Sequence, residues 1–186
     1  MTKYWCFLGL FVLFNCSKEN VYGVPELIET TIELDFAQTL GGSKNDAFYS
    51  VKRTADGGYI TAGYSQSNDF DINFKTNESF DILVAKFSFN NTLEWQKTFG
   101  GAEDDRGAEI VQTLDGGFAV LGFSKSADRD VSANAGAQDF WLVKLSNNGT
   151  LVWEKSFGFS GADYGTTLIE TEEGGFLVTG VLDVSA

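Results

Sequence analysis

Three aspartates, Asp46, Asp105 and Asp163, recur at offsets of 59 and then 58 residues, each a few residues after a glycine pair or its remnant. Two further runs, Asn68-Asp69-Phe70-Asp71-Ile72-Asn73 and Asp128-Arg129-Asp130-Val131-Ser132, carry carboxylates at alternate positions. Oxygen ligands spaced in this way are what calcium loops use, so Ca2+ is the cofactor candidate. Neither run has the glycine and closing glutamate of the EF-hand pattern. Paired carboxylates also carry out glycoside hydrolysis. Catalytic pairs are usually unique in a chain, and these recur, which argues against that chemistry. The structural alternative is that each aspartate caps loop amides, once per copy.

Composition narrows the chemistry further. The chain has 186 residues and no histidine. The commonest general base and transition-metal ligand is therefore missing, and Ser-His-Asp or Cys-His catalysis is excluded within this chain. Net charge is -13, against the clustered Lys and Arg that nucleic-acid binding needs. With 17 Phe, 6 Tyr, 4 Trp and 21 Gly but one Pro, the composition suits an all-β protein punctuated by glycine turns.

Residues 1–15 read as a secretory signal. Lys3 supplies the positive start, and the apolar run from Tyr4 to Phe14 is too short to span a bilayer. Cys16 follows in Leu13-Phe14-Asn15-Cys16, which resembles a bacterial lipoprotein signal, with Phe14 and Asn15 where that pattern has small residues. The resemblance implies a lipid on Cys16 and attachment to the outer membrane. Ser17-Lys18-Glu19-Asn20 is similar to the charged signals that send some lipoproteins to the cell surface. Cys6 lies inside the segment to be removed, so the mature chain forms no internal disulfide. Residues 16–31 read as a tether.

The elements that must position the aspartates belong to a repeat. Thr39-Leu40-Gly41-Gly42 returns as Thr98-Phe99-Gly100-Gly101 and as Ser156-Phe157-Gly158-Phe159. Asp56-Gly57-Gly58-Tyr59 returns as Asp115-Gly116-Gly117-Phe118 and as Glu173-Gly174-Gly175-Phe176. Trp95 returns as Trp153, and both are expected to pack between units. Strands are predicted at Ala47 to Thr54, Tyr59 to Tyr64, Asp81 to Phe87 and Leu93 to Phe99, with copies in the next unit. Asp56-Gly57 is expected to form a type I′ hairpin with positive φ at both residues. Gly63, Gly122 and Gly180 inside strands predict close backbone approach. The long loop from Ser65 to Ser79 and the glycine pairs fall on one face, and the tight turns on the other.

Four antiparallel strands per unit, apolar on both faces, describe a β-propeller blade. The inventory is an orphan fourth strand at 32–40, repeats at 41–99 and 100–157, and a partial repeat at 158–186. Propellers have about four to eight blades, so the expectation is a fragment of a longer chain, or closure with other copies.

The set Trp95-Gln96-Lys97-Thr98-Phe99-Gly100-Gly101, Asp115-Gly116-Gly117-Phe118, Gly122-Phe123-Ser124 and Asp139-Phe140-Trp141-Leu142-Val143-Lys144-Leu145 resembles the propeller-type tandem repeats of secreted and lipid-anchored bacterial proteins. The resemblance implies a β-propeller on the cell envelope and no particular activity. The function expected is non-enzymatic binding of a glycan or a protein through the acidic loop face, with a membrane as the second partner and no nucleic acid. The alternative is an envelope polysaccharide hydrolase using carboxylates.

Overall fold

The computed structural model describes residues 37–184. The expected signal, Cys16 and the expected tether lie outside the described residues. So does most of the orphan strand expected at 32–40; its described part, residues 37–40, is in no strand.

The described residues are all-β, with ten strands in antiparallel sheets. β1 (Asp46–Arg53), β2 (Tyr59–Ser65), β3 (Asp81–Phe87) and β4 (Leu93–Phe99) form the first sheet in chain order. β5 (Asp105–Gln112), β6 (Phe118–Ser124), β7 (Asp139–Leu145) and β8 (Leu151–Phe157) form the second in the same order. β9 (Tyr164–Glu170) and β10 (Phe176–Val181) form a two-stranded sheet.

The middle sheet is buried on both faces because its strands are apolar at successive positions. Phe118, Val120, Trp141 and Val143 pack with Ile60, Ala62, Ile82 and Val84 of the first sheet. Ala119, Leu121, Phe140 and Leu142 point the other way and pack with Leu168 of β9. Aromatic contacts cross the same boundaries. Trp95 of β4 lies 5.8 Å from Phe118 of β6, and Trp153 of β8 lies 5.8 Å from Phe176 of β10. Arg106 of β5 lies over Phe80, 3.9 Å from its centroid, which adds a cation–π clasp.

The register repeats with the sequence. β1–β2, β5–β6 and β9–β10 each carry one irregularity, beside the pairs Phe48↔Gly63, Gly107↔Gly122 and Gly165↔Gly180. A Cβ on Gly63, Gly122 or Gly180 would fall inside the carbonyl oxygen of Ala47, Arg106 or Tyr164. Close backbone approach is therefore the reason for glycine at these positions.

The Asp-Gly hairpin differs from the type I′ expectation. Gly57, Gly116 and Gly174 have φ of 85°, 82° and 80°, while Asp56 and Asp115 stay out of the positive region. Gly57 N donates to Thr54 O at 2.9 Å, and Thr54 N to Gly58 O at 2.9 Å. This is the longer hairpin loop that ends in a left-handed glycine. Asp56 fixes it with Oδ1, accepting Thr54 Oγ1 at 2.5 Å and Gly58 N at 3.0 Å. Lys86, buried in β3, reaches back to Asp56 Oδ2 at 2.9 Å, and Lys144 reaches Asp115 likewise at 2.9 Å. These bonds hold the Asp56 and Asp115 carboxyls well below the ordinary carboxylate range, the threonine hydroxyl being the largest cause in each.

Candidate functional site: the acidic loop face

The glycine pair before β5 opens a turn of four successive main-chain N–H groups, none of which enters a strand ladder. Each is met by a side-chain oxygen. Gly100 N donates to Asp130 Oδ2 at 3.1 Å, and Gly101 N to Asp105 Oδ2 at 2.7 Å. Ala102 N donates to Asp128 Oδ1 at 2.8 Å, and Glu103 N to Ser126 Oγ at 3.0 Å. The turn before β1 repeats the set. Gly41 N donates to Asp71 Oδ2 at 3.2 Å, and Gly42 N to Asp46 Oδ2 at 2.7 Å. Ser43 N donates to Asp69 Oδ1 at 2.8 Å, and Lys44 N to Ser67 Oγ at 3.0 Å.

So Asp46, Asp69 and Asp71 converge on one turn, and Asp105, Asp128 and Asp130 on the next. The turn must be glycine for a steric reason: a Cβ on Gly41 or Gly100 would stand 2.7 Å from the Asp46 or Asp105 carboxylate. Asp163 takes the third position and accepts Phe159 N at 2.5 Å. Each of the seven candidate aspartates thus presents a carboxylate oxygen to a turn amide.

Two serines per unit complete the arrangement. Ser67 Oγ donates to Asp46 Oδ2 and Ser126 Oγ to Asp105 Oδ2, both at 2.8 Å. Ser65 Oγ donates to Asp46 Oδ1 at 2.5 Å, and Ser124 Oγ bonds Asp105 Oδ1 in the same way. Sequence reasoning missed these hydroxyls. Their signal was present in Ser65-Gln66-Ser67 and Ser124-Lys125-Ser126, each following a Gly-aromatic pair.

A second layer of charge lies beneath. Asp81 is buried beside Lys75, whose ammonium is 3.6 Å from Asp81 Oδ1 and donates to the carbonyls of Asn77 and Ser79. Burial pushes the Asp81 carboxyl up to about 6, with Lys75 opposing and Asp105 adding to the rise. Burial also raises Asp105, against the pull of its hydrogen bonds. Burial lowers Lys75, against Asp81. Asp69, at the surface, is held below the usual range by the Ser43 hydrogen bonds.

Among the described residues, no group of three or more His, Cys, Asp or Glu side chains is placed to hold a metal ion. Outward, the loops present Phe70, 74 % exposed, and Arg129 at the counterpart position of the next unit. Both have left-handed backbone, with φ of 50° and 57°. The glycines of the other face, Gly57, Gly58, Gly116, Gly117, Gly174 and Gly175, sit in the hairpins opposite this surface.

No protein-family model matches this chain, and no curated protein matches it.

Proposed function

We propose that the repeats are blades of a β-propeller held on the bacterial envelope by a lipid on Cys16, and that the protein acts by binding rather than by catalysis. One observation carries the reading: the recurring carboxylates serve as acceptors for turn amides in both complete units. Glycoside hydrolysis needs two carboxylates free to take a proton or a sugar carbon. Carboxylates committed to main-chain donors are scaffold, and the loops they brace are free to vary at their tips. Phe70 and Arg129 occupy those tips, and their side-chain types suit stacking on a sugar ring or a protein side chain.

The propeller reading is supported by the stacking of sheets. Ile110 and Leu168 are buried against the preceding sheet, whereas Val51, their counterpart in the first unit, is 65 % exposed. In a ring, the preceding blade covers that valine.

The test uses the full chain against arrays of envelope glycans and envelope proteins, with and without chelator. Retention of a ligand without turnover, weakened by Phe70→Ser, supports the reading. Release of reducing sugar ends would contradict it and restore the hydrolase. For the anchor, Cys16→Ala should abolish incorporation of labelled fatty acid; continued labelling would remove the lipoprotein assignment.

A further inference from the structure

The two sheet junctions are built alike and neutralised differently. At the first, Asp105 N donates to Phe80 O at 2.6 Å, and Asp81 lies beside Asp105. At the second, Asp163 N donates to Gln138 O at 2.8 Å. Both Asp139 Oδ1 and Asp163 Oδ2 come within 2.7 Å of where a Cβ on Gly158 would sit. Asp139 is 1 % exposed and Asp163 0 %. Each junction therefore buries a pair of carboxylates side by side.

At the first junction the counter-charge is Lys75, a lysine whose side chain is 1 % exposed. At the second, no salt bridge among the described residues reaches Asp139 or Asp163. The loop from Ser126 to Asp139 contains no lysine, and its arginine, Arg129, donates back to Gly101 O at 3.3 Å at the first junction. Asn134, at the position of Lys75 counted from Ser126, is neutral and donates to Ser124 O at 3.2 Å.

Two further differences point the same way. Asp139 Oδ1 is buried with no hydrogen-bond partner, while Asp139 Oδ2 accepts Ala135 N at 2.6 Å. Asp105 receives the hydroxyls of Ser124 and Ser126, whose counterparts, Leu182 and Val184, have no hydroxyl; Asp163 instead accepts the main-chain N–H groups of Phe159 and Asp183, each at 2.5 Å. A buried ion without a counter-charge costs several kcal/mol, so the unpartnered Asp139 Oδ1 beside Asp163 calls for a cation.

We propose that Asp139 and Asp163, with nearby main-chain oxygens, bind a calcium ion that does at the second junction what the Lys75 ammonium does at the first. The donors are all oxygen, as a hard cation requires, and two carboxylates balance a divalent charge. Calcium accepts irregular sets of carboxylate and carbonyl oxygens, whereas Mg2+ demands near-ideal octahedral geometry. The site is independent of any ligand at the loop tips, so failure of the binding reading leaves it standing.

The experiment is calorimetric titration and thermal unfolding of the full chain, stripped with EDTA and then supplied with CaCl2, MgCl2 or KCl. One calcium per chain is expected, with a rise in Tm of roughly 5 °C at a hundredfold excess over Kd. MgCl2 and KCl should give much less. Asp139→Asn should abolish the calcium response and raise the calcium-free Tm. Asn134→Lys, which supplies an ammonium, should also abolish the response and covers the case in which Asp139→Asn does not fold. A calcium response that persists in either variant would overturn the proposal. So would a wild-type Tm that ignores calcium.

Discussion

Asp105 Oδ2 accepts the main-chain N–H of Gly101 at 2.7 Å, although the glycine belongs to no strand. The same carboxylate takes the hydroxyls of Ser124 and Ser126 and the Ser126 N–H at 3.4 Å. A fully buried carboxylate with this many donors is a structural fastener. It ties the entry of β5 to the exit of β6.

Asp105→Ala should therefore lower stability by about 3 kcal/mol, because several buried donors lose their acceptor. Asp71→Ala, exposed and bonded at 3.2 Å, should cost less than about 1 kcal/mol. Urea unfolding of the two variants checks the contrast. Equal losses would mean that burial of the acceptor does not set the cost.

Glycine substitutions should rank by geometry. At Gly116, φ is 82° and a Cβ meets nothing within 4 Å, so Gly116→Ala should cost only the left-handed backbone, about 1 kcal/mol. At Gly122 a Cβ would run into the Arg106 carbonyl, so Gly122→Ala should cost about 3 kcal/mol or more. Chemical denaturation gives both values.

Asp81 makes a pH prediction. Its folded pKa is raised from 3.8 to about 6, so the folded state holds its proton more tightly than the unfolded chain. Its contribution is present below 3.8 and is lost as pH rises towards about 6. Asp56 and Asp115 have lowered values, so their contribution is present above 3.8 and is lost only as pH falls below it. Asp81→Asn should remove a decline of about 2 kcal/mol between those two pH values. Unfolding of wild type and variant across that range measures the difference, with Lys75 and Asp105 unchanged in both.

Trp95 offers a packing test. It is half-buried and meets Phe118 across the sheet boundary, whereas Trp153 is 39 % exposed. Trp95→Ala should cost about 3 kcal/mol, and Trp153→Ala clearly less. Thermal unfolding separates them.

The strands were legible because the repeat aligns them twice. β3 and β4 lie at the predicted residues, and the apolar run in Phe140–Leu145 is buried on both faces as its composition implied. The hairpin geometry was not legible. The Asp-Gly pair suits a two-residue loop, but the Thr54 and Asp56 side chains bond each other and leave only Gly57 left-handed. That Asp46, Asp69 and Asp71 meet at one turn, and Asp105, Asp128 and Asp130 at the next, with an oxygen on an amide, was not legible from spacing. Alternation along a loop places carboxylates near one another without saying whether they face an ion or an amide. Lys75 was missed because one lysine in a polar loop carries no periodic signal, and its burial depends on Asp81, six residues away.

Amide hydrogen exchange reads whether the aspartates hold the turn amides. Gly42, Gly101 and Ala102 should exchange far more slowly than coil, and Gly101 should lose its protection selectively in Asp105→Ala. Exchange of Gly101 at the coil rate in the wild-type protein would contradict the account.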